Sequence, residues 1–267
     1  MQLEILEKKL NTFYQDFDKK ELIPPDPLEI PHKYNKVADI EIVAFISAIF
    51  AFGNVRQIVK ILENLEKIWG KSPKNYFLQF DEKLEFGKFA NLKYRFFTSQ
   101  DIFTLFELIH VAILEFGSLE NLFMEKYSSK HDNLKKEISE FSTWFIEKSK
   151  EKGKFTNGIK FMFANPENGS SAKRMNLFLR WMVRKDELDF GIWQGIRKNQ
   201  LVIPVDLHVS RISKEFQLTK LKNISWKMAE EITKNLLKFD NFDPVKYDFA
   251  ICHIGIRKKE FSIDSKR

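Results

Sequence analysis

The chain has 267 residues, 43% of them hydrophobic and 27 of them phenylalanine, enough for an aromatic-rich core in one large domain or two small ones. Its single cysteine, Cys252, excludes an internal disulfide, a cysteine-ligated zinc site and an iron–sulfur cluster. The net charge of +7 suits an anionic partner, nucleic acid or a membrane surface, and equally suits a lysine-rich genomic composition with no partner behind it.

From the N-terminus, Met1 to Lys8 opens an amphipathic helix rather than a signal peptide, with Leu3, Leu6, Leu10, Phe13 and Phe17 at helical spacing. A proline cluster at 24–31 follows and has the composition of a stiff linker. The apolar run from Ile40 to Phe52, interrupted by Glu41, is about 13 residues long, too short to span a bilayer, and predicts a buried helix. Helical stripes recur at Val55, Ile58, Val59, Leu62, Leu65 and Trp69, from Ile102 to Phe116, and at Leu134, Ile138, Phe141 and Phe145. A looser one runs through Trp226, Met228, Ile232, Leu236 and Phe239. Breakers stand at Gly53-Asn54, Gly70 to Pro73, Gly153 to Gly158, Pro166 to Gly169 and Asp243-Pro244, and no alternating run of strand length separates them. The pattern predicts an all-α protein of roughly ten helices, ending in a short basic stretch from Arg257 to Arg267. With a second crossing at about 190–204, the expected division is a middle helical domain over 34–190 and a terminal domain of 1–33 plus 191–267.

Two segments carry the residues for chemistry. After Gly169, Ser170 or Ser171 is the expected N-cap of a helix that buries Met175, Leu179, Met182 and Val183. Lys173, Asn176, Arg180 and Arg184 fall within about 60° of one another on its other side. That face reads either as a phosphate grip beside the helix amides or as a solvated charged surface. In Pro204-Val205-Asp206 the aspartate is placed to cap a second helix that buries Val209, Ile212 and Phe216, and a cap or a reacting carboxylate both fit. His208 has no second ligand nearby, so no metal site is expected. An amine and a carboxylate at two helix starts, 33 residues apart, can attack a sugar carbon if they meet.

The string Val205-Asp206-Leu207-His208-Val209-Ser210-Arg211 resembles the Val-Asp-Thr-His-Val-x-Arg string of the helix–hairpin–helix Gly/Pro-Asp DNA glycosylases, the endonuclease III superfamily. Lys173, in Gly169-Ser170-Ser171-Ala172-Lys173-Arg174, matches by position the lysine of its bifunctional members, and the long Lys-to-Asp separation is more like the archaeal 8-oxoguanine glycosylases. Weaker echoes lie in Leu92 to Arg95, Asp101-Ile102 and Phe116 to Leu119 for the middle of the helical barrel, and in Tyr247 to Gly255 for its C-terminal helix. Glu41 to Ala51 is similar to the early helix that leads to the DNA-facing loop, with Asn54 near the place of the inserting glutamine. The string Lys173-Arg174-Met175-Asn176-Leu177-Phe178-Leu179-Arg180-Trp181-Met182-Val183-Arg184 resembles an uncharacterised bacterial group, the domain of unknown function 2400. The chain departs from the glycosylase hairpin, Leu-Pro-Gly-Val-Gly, with Asn165-Pro166-Glu167-Asn168-Gly169 and a longer spacing, and it lacks the four cluster cysteines of endonuclease III.

The glycosylase resemblance implies two helical subdomains with a cleft between them and a DNA repair enzyme that excises a damaged base, 8-oxoguanine first, from duplex DNA, with an AP lyase step open to it. The base would be flipped out of the stack. Lys173, its pKa lowered by desolvation and nearby arginines, would form a Schiff base, and Asp206 would assist. Gly169, Ser170, Arg174, Arg180, Arg184, His208, Arg211 and Asn54 would contact DNA. Trp181, Trp193 and Phe161 would either stack on the base or serve as core aromatics. This chemistry requires no cofactor, and the expected protein is a cytoplasmic monomer with no membrane partner. Two other classes fit the residues: a non-catalytic helical DNA- or RNA-binding protein in which Lys173 and Asp206 form a buried ion pair, and a helical interaction scaffold.

Overall fold

The computed structural model describes residues 3–255, so the basic stretch from Arg257 to Arg267 lies outside the described residues. In chain order the α-helices are α1 (Leu3–Phe17), α2 (Val37–Phe50), α3 (Val55–Trp69), α4 (Pro73–Leu78), α5 (Glu82–Phe89), α6 (Ser99–Phe116), α7 (Leu119–Met124), α8 (Lys135–Glu151), α9 (Asn157–Met162), α10 (Lys173–Val183), α11 (Leu207–Glu215) and α12 (Trp226–Leu236). Residues 248–255 are also helical. Among the described residues no β-strand forms, and only isolated bridges join Tyr94 to Phe97 and Lys185 to Phe190. The protein is all-α. No helix among the described residues is long and apolar enough to cross a membrane.

The chain divides into two compact units. One is built from residues 24–128 and 135–165. Its centre is α2, buried on every side through Ile42, Val43, Phe45, Ile46, Ile49 and Phe50, as a helix with no polar face must be. Glu41 does not break this helix because its buried carboxylate accepts from the backbone N–H groups of Leu119 (3.0 Å) and Glu120 (2.9 Å) at the start of α7. There the negative charge meets the positive end of the helix dipole. Asn54 caps α3 by accepting from the N–H of Arg56 and Gln57, and α3 buries Ile58, Ile61, Leu62, Leu65 and Trp69. A Thr98–Asp101 capping box starts α6, and Gly117 ends it in the left-handed conformation that glycine adopts without strain. Rings fill the interior, with Phe145 stacked on Phe163 at 4.3 Å.

The other unit is built from residues 3–23, 129–134 and 166–255. Here α1 packs through Leu6, Leu10 and Phe17. Tyr247 donates to the Asn11 side chain at 2.9 Å and sets its ring edge-on to Tyr14 at 6.4 Å. Residues 129–134 join this unit through Asn133, which donates to Glu230 at 3.1 Å, and through the His131 carbonyl, which accepts from Gln200 at 2.8 Å.

The division differs from the expected one at both ends of the middle segment. Residues 24–33 are no free linker, because Pro27–Glu29 and Pro31–Lys33 form short 3-10 turns in the middle unit, with Pro27, Leu28 and Pro31 buried. Residues 166–190, expected in the middle domain, belong to the terminal unit. They are tied there by Phe190 N–H to the Trp181 carbonyl (2.9 Å), Trp193 N–H to the Met182 carbonyl (2.9 Å) and the ion pairs of Arg180 and Arg184.

Candidate functional site

The site is formed within the terminal unit by the starts of α10 and α11. Before α10, Pro166–Asn168 makes a 3-10 turn closed by the Gly169 N–H on the Pro166 carbonyl at 3.0 Å. Gly169 stands at φ 84°, where only glycine is unstrained. The Ser170 hydroxyl accepts from the Ala172 N–H at 3.1 Å. Ala172 then enters the helix at φ 45°, ψ 36°, left-handed for a residue with a Cβ, at a cost of about 1–2 kcal/mol. The N-cap is thus Ala172, not Ser170 or Ser171 as expected, and no side chain caps the helix. The serines are used otherwise: Ser170 in the loop, and Ser171 through its carbonyl, which accepts from the Asn176 amide at 3.0 Å. Lys173 is the first residue of α10.

Asp206 is reached by a buried stretch outside regular secondary structure, Leu201 to Val205, anchored where the Ile203 N–H donates to Thr233 at 3.0 Å. Its Oδ1 accepts from the N–H of His208 (2.8 Å) and Val209 (3.0 Å), which caps α11. Its Oδ2 faces the Lys173 Nζ at 3.7 Å. The two side chains are 28% and 29% exposed, so the pair is open to solvent and not the buried ion pair that the non-catalytic alternative expects. At 3.7 Å the contact is longer than a hydrogen bond.

A buried charge network lies along α10 beyond this pair. Arg180 donates to Asp248 at 2.5 Å and twice to Asp189, at 3.1 and 3.2 Å. Arg184 contacts Asp243 at 2.7 Å, Asp186 at 2.7 Å and also Asp189. Burial alone would pull both guanidinium pKa values down, but the surrounding carboxylates raise them above the ordinary value. Asp248 links the network to the pair. Its carboxyl is raised to about 6: burial raises it most, Arg180 pulls against that, the Asp206 charge raises it and Lys173 lowers it.

Several expected roles change on this geometry. The polar stripe of α10 faces inward, with Asn176, Arg180 and Arg184 each buried. Arg180 and Arg184 are neutralised by the chain's own carboxylates and do not hold phosphate, since buried charges must be paired. Arg174 is buried as well, and desolvation lowers its pKa. Trp181 and Trp193 are core residues, Trp193 lying edge-on to Phe178 at 5.1 Å, and neither lines a base pocket. Gly169 is exposed and Ser170 half-buried beside Lys173 in the chain. His208 is half-buried, and a Cβ at Gly255 would lie 2.9 Å from its Cβ. The Arg211 guanidinium donates to the Gly255 carbonyl. Asn54 and Phe161 belong to the other unit, Asn54 as the exposed cap of α3 and Phe161 as an exposed ring on α9.

Asp186, Asp189, Asp243 and Asp248 were not foreseen as members of the site. Asp248 had a signal: an aspartate opening the apolar string Phe249, Ala250, Ile251 is buried with it and demands a cation.

The fold and site thus define an all-α protein with a solvent-reachable lysine–aspartate pair on two helix starts. A model of the family described as a protein of unknown function, DUF2400, matches residues 26–257, and the chain belongs to that family. No curated protein and no solved structure matches the chain.

Proposed function

We propose that the Lys173–Asp206 pair excises a damaged base from duplex DNA, the protein acting as a DNA glycosylase with an AP lyase step on a helix–hairpin–helix glycosylase-like fold. The observation that carries this reading is the 3.7 Å approach of Nζ to Oδ2 between residues 33 positions apart, with both groups open to solvent. Asp206 accepts a proton from the lysine ammonium, and the free amine attacks C1′ of the deoxyribose. The Nζ–C1′ bond forms as the bond to the base breaks, and the base leaves with a proton. The proton held by Asp206 passes to the ring oxygen as the sugar opens to an imine, β-elimination gives up a C2′ proton to solvent as the C3′–O bond breaks and the 3′ phosphate leaves, and water hydrolyses the imine to return the lysine amine. The Asp206 carboxylate faces the positive charge that grows on the sugar. The separation of Lys173 and Asp206, similar to that in archaeal 8-oxoguanine glycosylases, puts 8-oxoguanine first among lesions. Phosphate contacts in this reading come from the Gly169–Ser170 loop, His208 and Arg211.

Borohydride trapping on a duplex with 8-oxoguanine opposite cytosine tests it. The expected result is a covalent protein–DNA adduct that Lys173→Gln abolishes. An adduct that survives the substitution moves the nucleophile elsewhere. In a second reading Lys173 and Asp206 only brace two helix starts of a nucleic-acid-binding protein, as an exposed pair rather than a buried one. Steep salt-dependent binding with no base release on a lesion panel selects that one.

A further inference from the structure

In the unit formed by residues 24–128 and 135–165, three segments bring two exposed rings and one half-buried ring together. Phe52 follows α2, Phe96 sits in the turn before α6, and Phe161 is on α9. The Phe52 and Phe96 centroids are 5.7 Å apart, Phe52 and Phe161 5.0 Å, and Phe96 and Phe161 4.8 Å. Phe96 is 50% exposed and Phe161 38%, in a chain that buries most of its phenylalanines. The Arg95 guanidinium lies over the Phe52 ring, 5.7 Å from its centroid.

The backbone is shaped to present these groups. Paired N–H and carbonyl groups of Tyr94 and Phe97 (3.1 and 2.8 Å) close a two-residue turn whose tip is Arg95 and Phe96. Arg95 takes φ 53° there, a left-handed position that turns normally give to glycine. Gly53, at φ 100°, admits the arginine, since a Cβ there would lie 2.9 Å from its Nη1. A side chain kept at a strained turn tip points to a role for that side chain.

Charge selects the partner. Residues 51–60, 91–100 and 157–166 hold Arg56, Lys60, Lys93, Arg95 and Lys160 and no carboxylate, where 37 acidic residues in 267 would give such a sample about four. The Asp101 carboxylate beside Gly158 is buried and accepts from Thr98 and Thr156, so the exposed ring faces stand among cations, the kind of surface on which unpaired nucleobases stack while the backbone is held electrostatically.

We infer that Phe96 and Phe161, with Arg95, form a stacking platform for unpaired bases of single-stranded DNA. The inference stands on the middle unit alone and needs no chemistry at Lys173. Undamaged DNA therefore tests it separately from the proposed base excision.

The full chain is titrated by fluorescence anisotropy against a labelled 12-mer of thymidine and a 12-mer of abasic spacer with the same phosphates. The expected result is tighter binding of oligothymidine than of spacer. Phe96→Ala should lower oligothymidine affinity fivefold or more and leave spacer affinity unchanged. Phe96→Trp, which keeps a ring at the turn tip, should restore oligothymidine binding, and Phe161→Ala should act as Phe96→Ala does if it melts like wild type. Equal affinity of the wild type for both probes overturns the inference and leaves the patch to an apolar protein partner. Oligothymidine affinity unchanged in Phe96→Ala also overturns it.

Discussion

Arg180 on α10 donates to Asp248 at 2.5 Å, so the helix that begins with Lys173 is held to helical residues 248–255 by a buried ion pair. The Asp248 carboxyl is raised from 3.8 to about 6, chiefly by burial. A carboxyl raised in the folded state contributes stability that is complete below its unfolded value and is lost as pH rises through its folded value. Wild-type unfolding free energy should therefore carry a downward component between pH 3.8 and about 6 that Asp248→Asn removes. Asp18, also raised to about 6, titrates in both proteins and cancels in the difference. Denaturant unfolding across that range measures it, and identical profiles would show that Arg180 keeps Asp248 ionised throughout.

Arg184 makes the sharper distinction between a structural and a DNA-binding cation. It contacts Asp186, Asp189 and Asp243. Arg184→Met strands these carboxylates, and breaking a buried pair costs about 3–5 kcal/mol. Salt-dependent DNA binding of the folded variant should keep the wild-type slope, whereas loss of a phosphate contact would lower it by about one. A stable variant with a shallower slope would return Arg184 to the DNA surface.

Ala172 offers a substitution expected to stabilise. At φ 45° its Cβ costs about 1–2 kcal/mol, and the entropy that glycine adds to the unfolded chain offsets about 0.4–1 kcal/mol of that. Ala172→Gly should raise unfolding free energy by up to about 1.6 kcal/mol in urea titration. A loss of stability would mean that the buried Ala172 methyl contributes more packing than the strain it carries.

Gly255 is required for the opposite reason. A Cβ there would stand 2.9 Å from the His208 Cβ and 3.3 Å from its carbonyl oxygen, so the helical residues that include Asp248 would be pushed off the start of α11. Overpacking of this kind costs about 1–3 kcal/mol. Gly255→Ala should lower the unfolding free energy by that amount in denaturant titration, and a neutral result would show that this contact yields without cost.

The long helices were legible because their apolar residues repeat over several turns. Ile58, Leu62, Leu65 and Trp69 give α3 its buried face, and Ile102 to Phe116 falls within α6. Helices α4, α7 and α9 span only six residues each, too few for a period to declare itself. Asp206 was legible as a cap, because that role depends on local sequence. The inward turn of Arg180 and Arg184 was not. Periodicity places them on one stripe but does not tell water from four aspartates, two of which, Asp243 and Asp248, follow by more than fifty residues. The approach of Lys173 to Asp206 is likewise tertiary, and only a resemblance put the two residues in one site.

Asp206 holds the test that separates its two tasks, because its oxygens are divided between them. Oδ1 caps α11 at 2.8 and 3.0 Å, and Oδ2 stands 3.7 Å from the Lys173 amine. Asparagine keeps an oxygen for the cap and replaces the second with an uncharged amide. Asp206→Asn should therefore unfold within about 0.5 kcal/mol of wild type, while Asp206→Ala loses about 0.5–2 kcal/mol with the cap. If the carboxylate takes the lysine proton, both variants lose base release and the borohydride adduct, although only one loses stability. Base release that persists in Asp206→Asn would leave the residue its cap and place proton acceptance on another group.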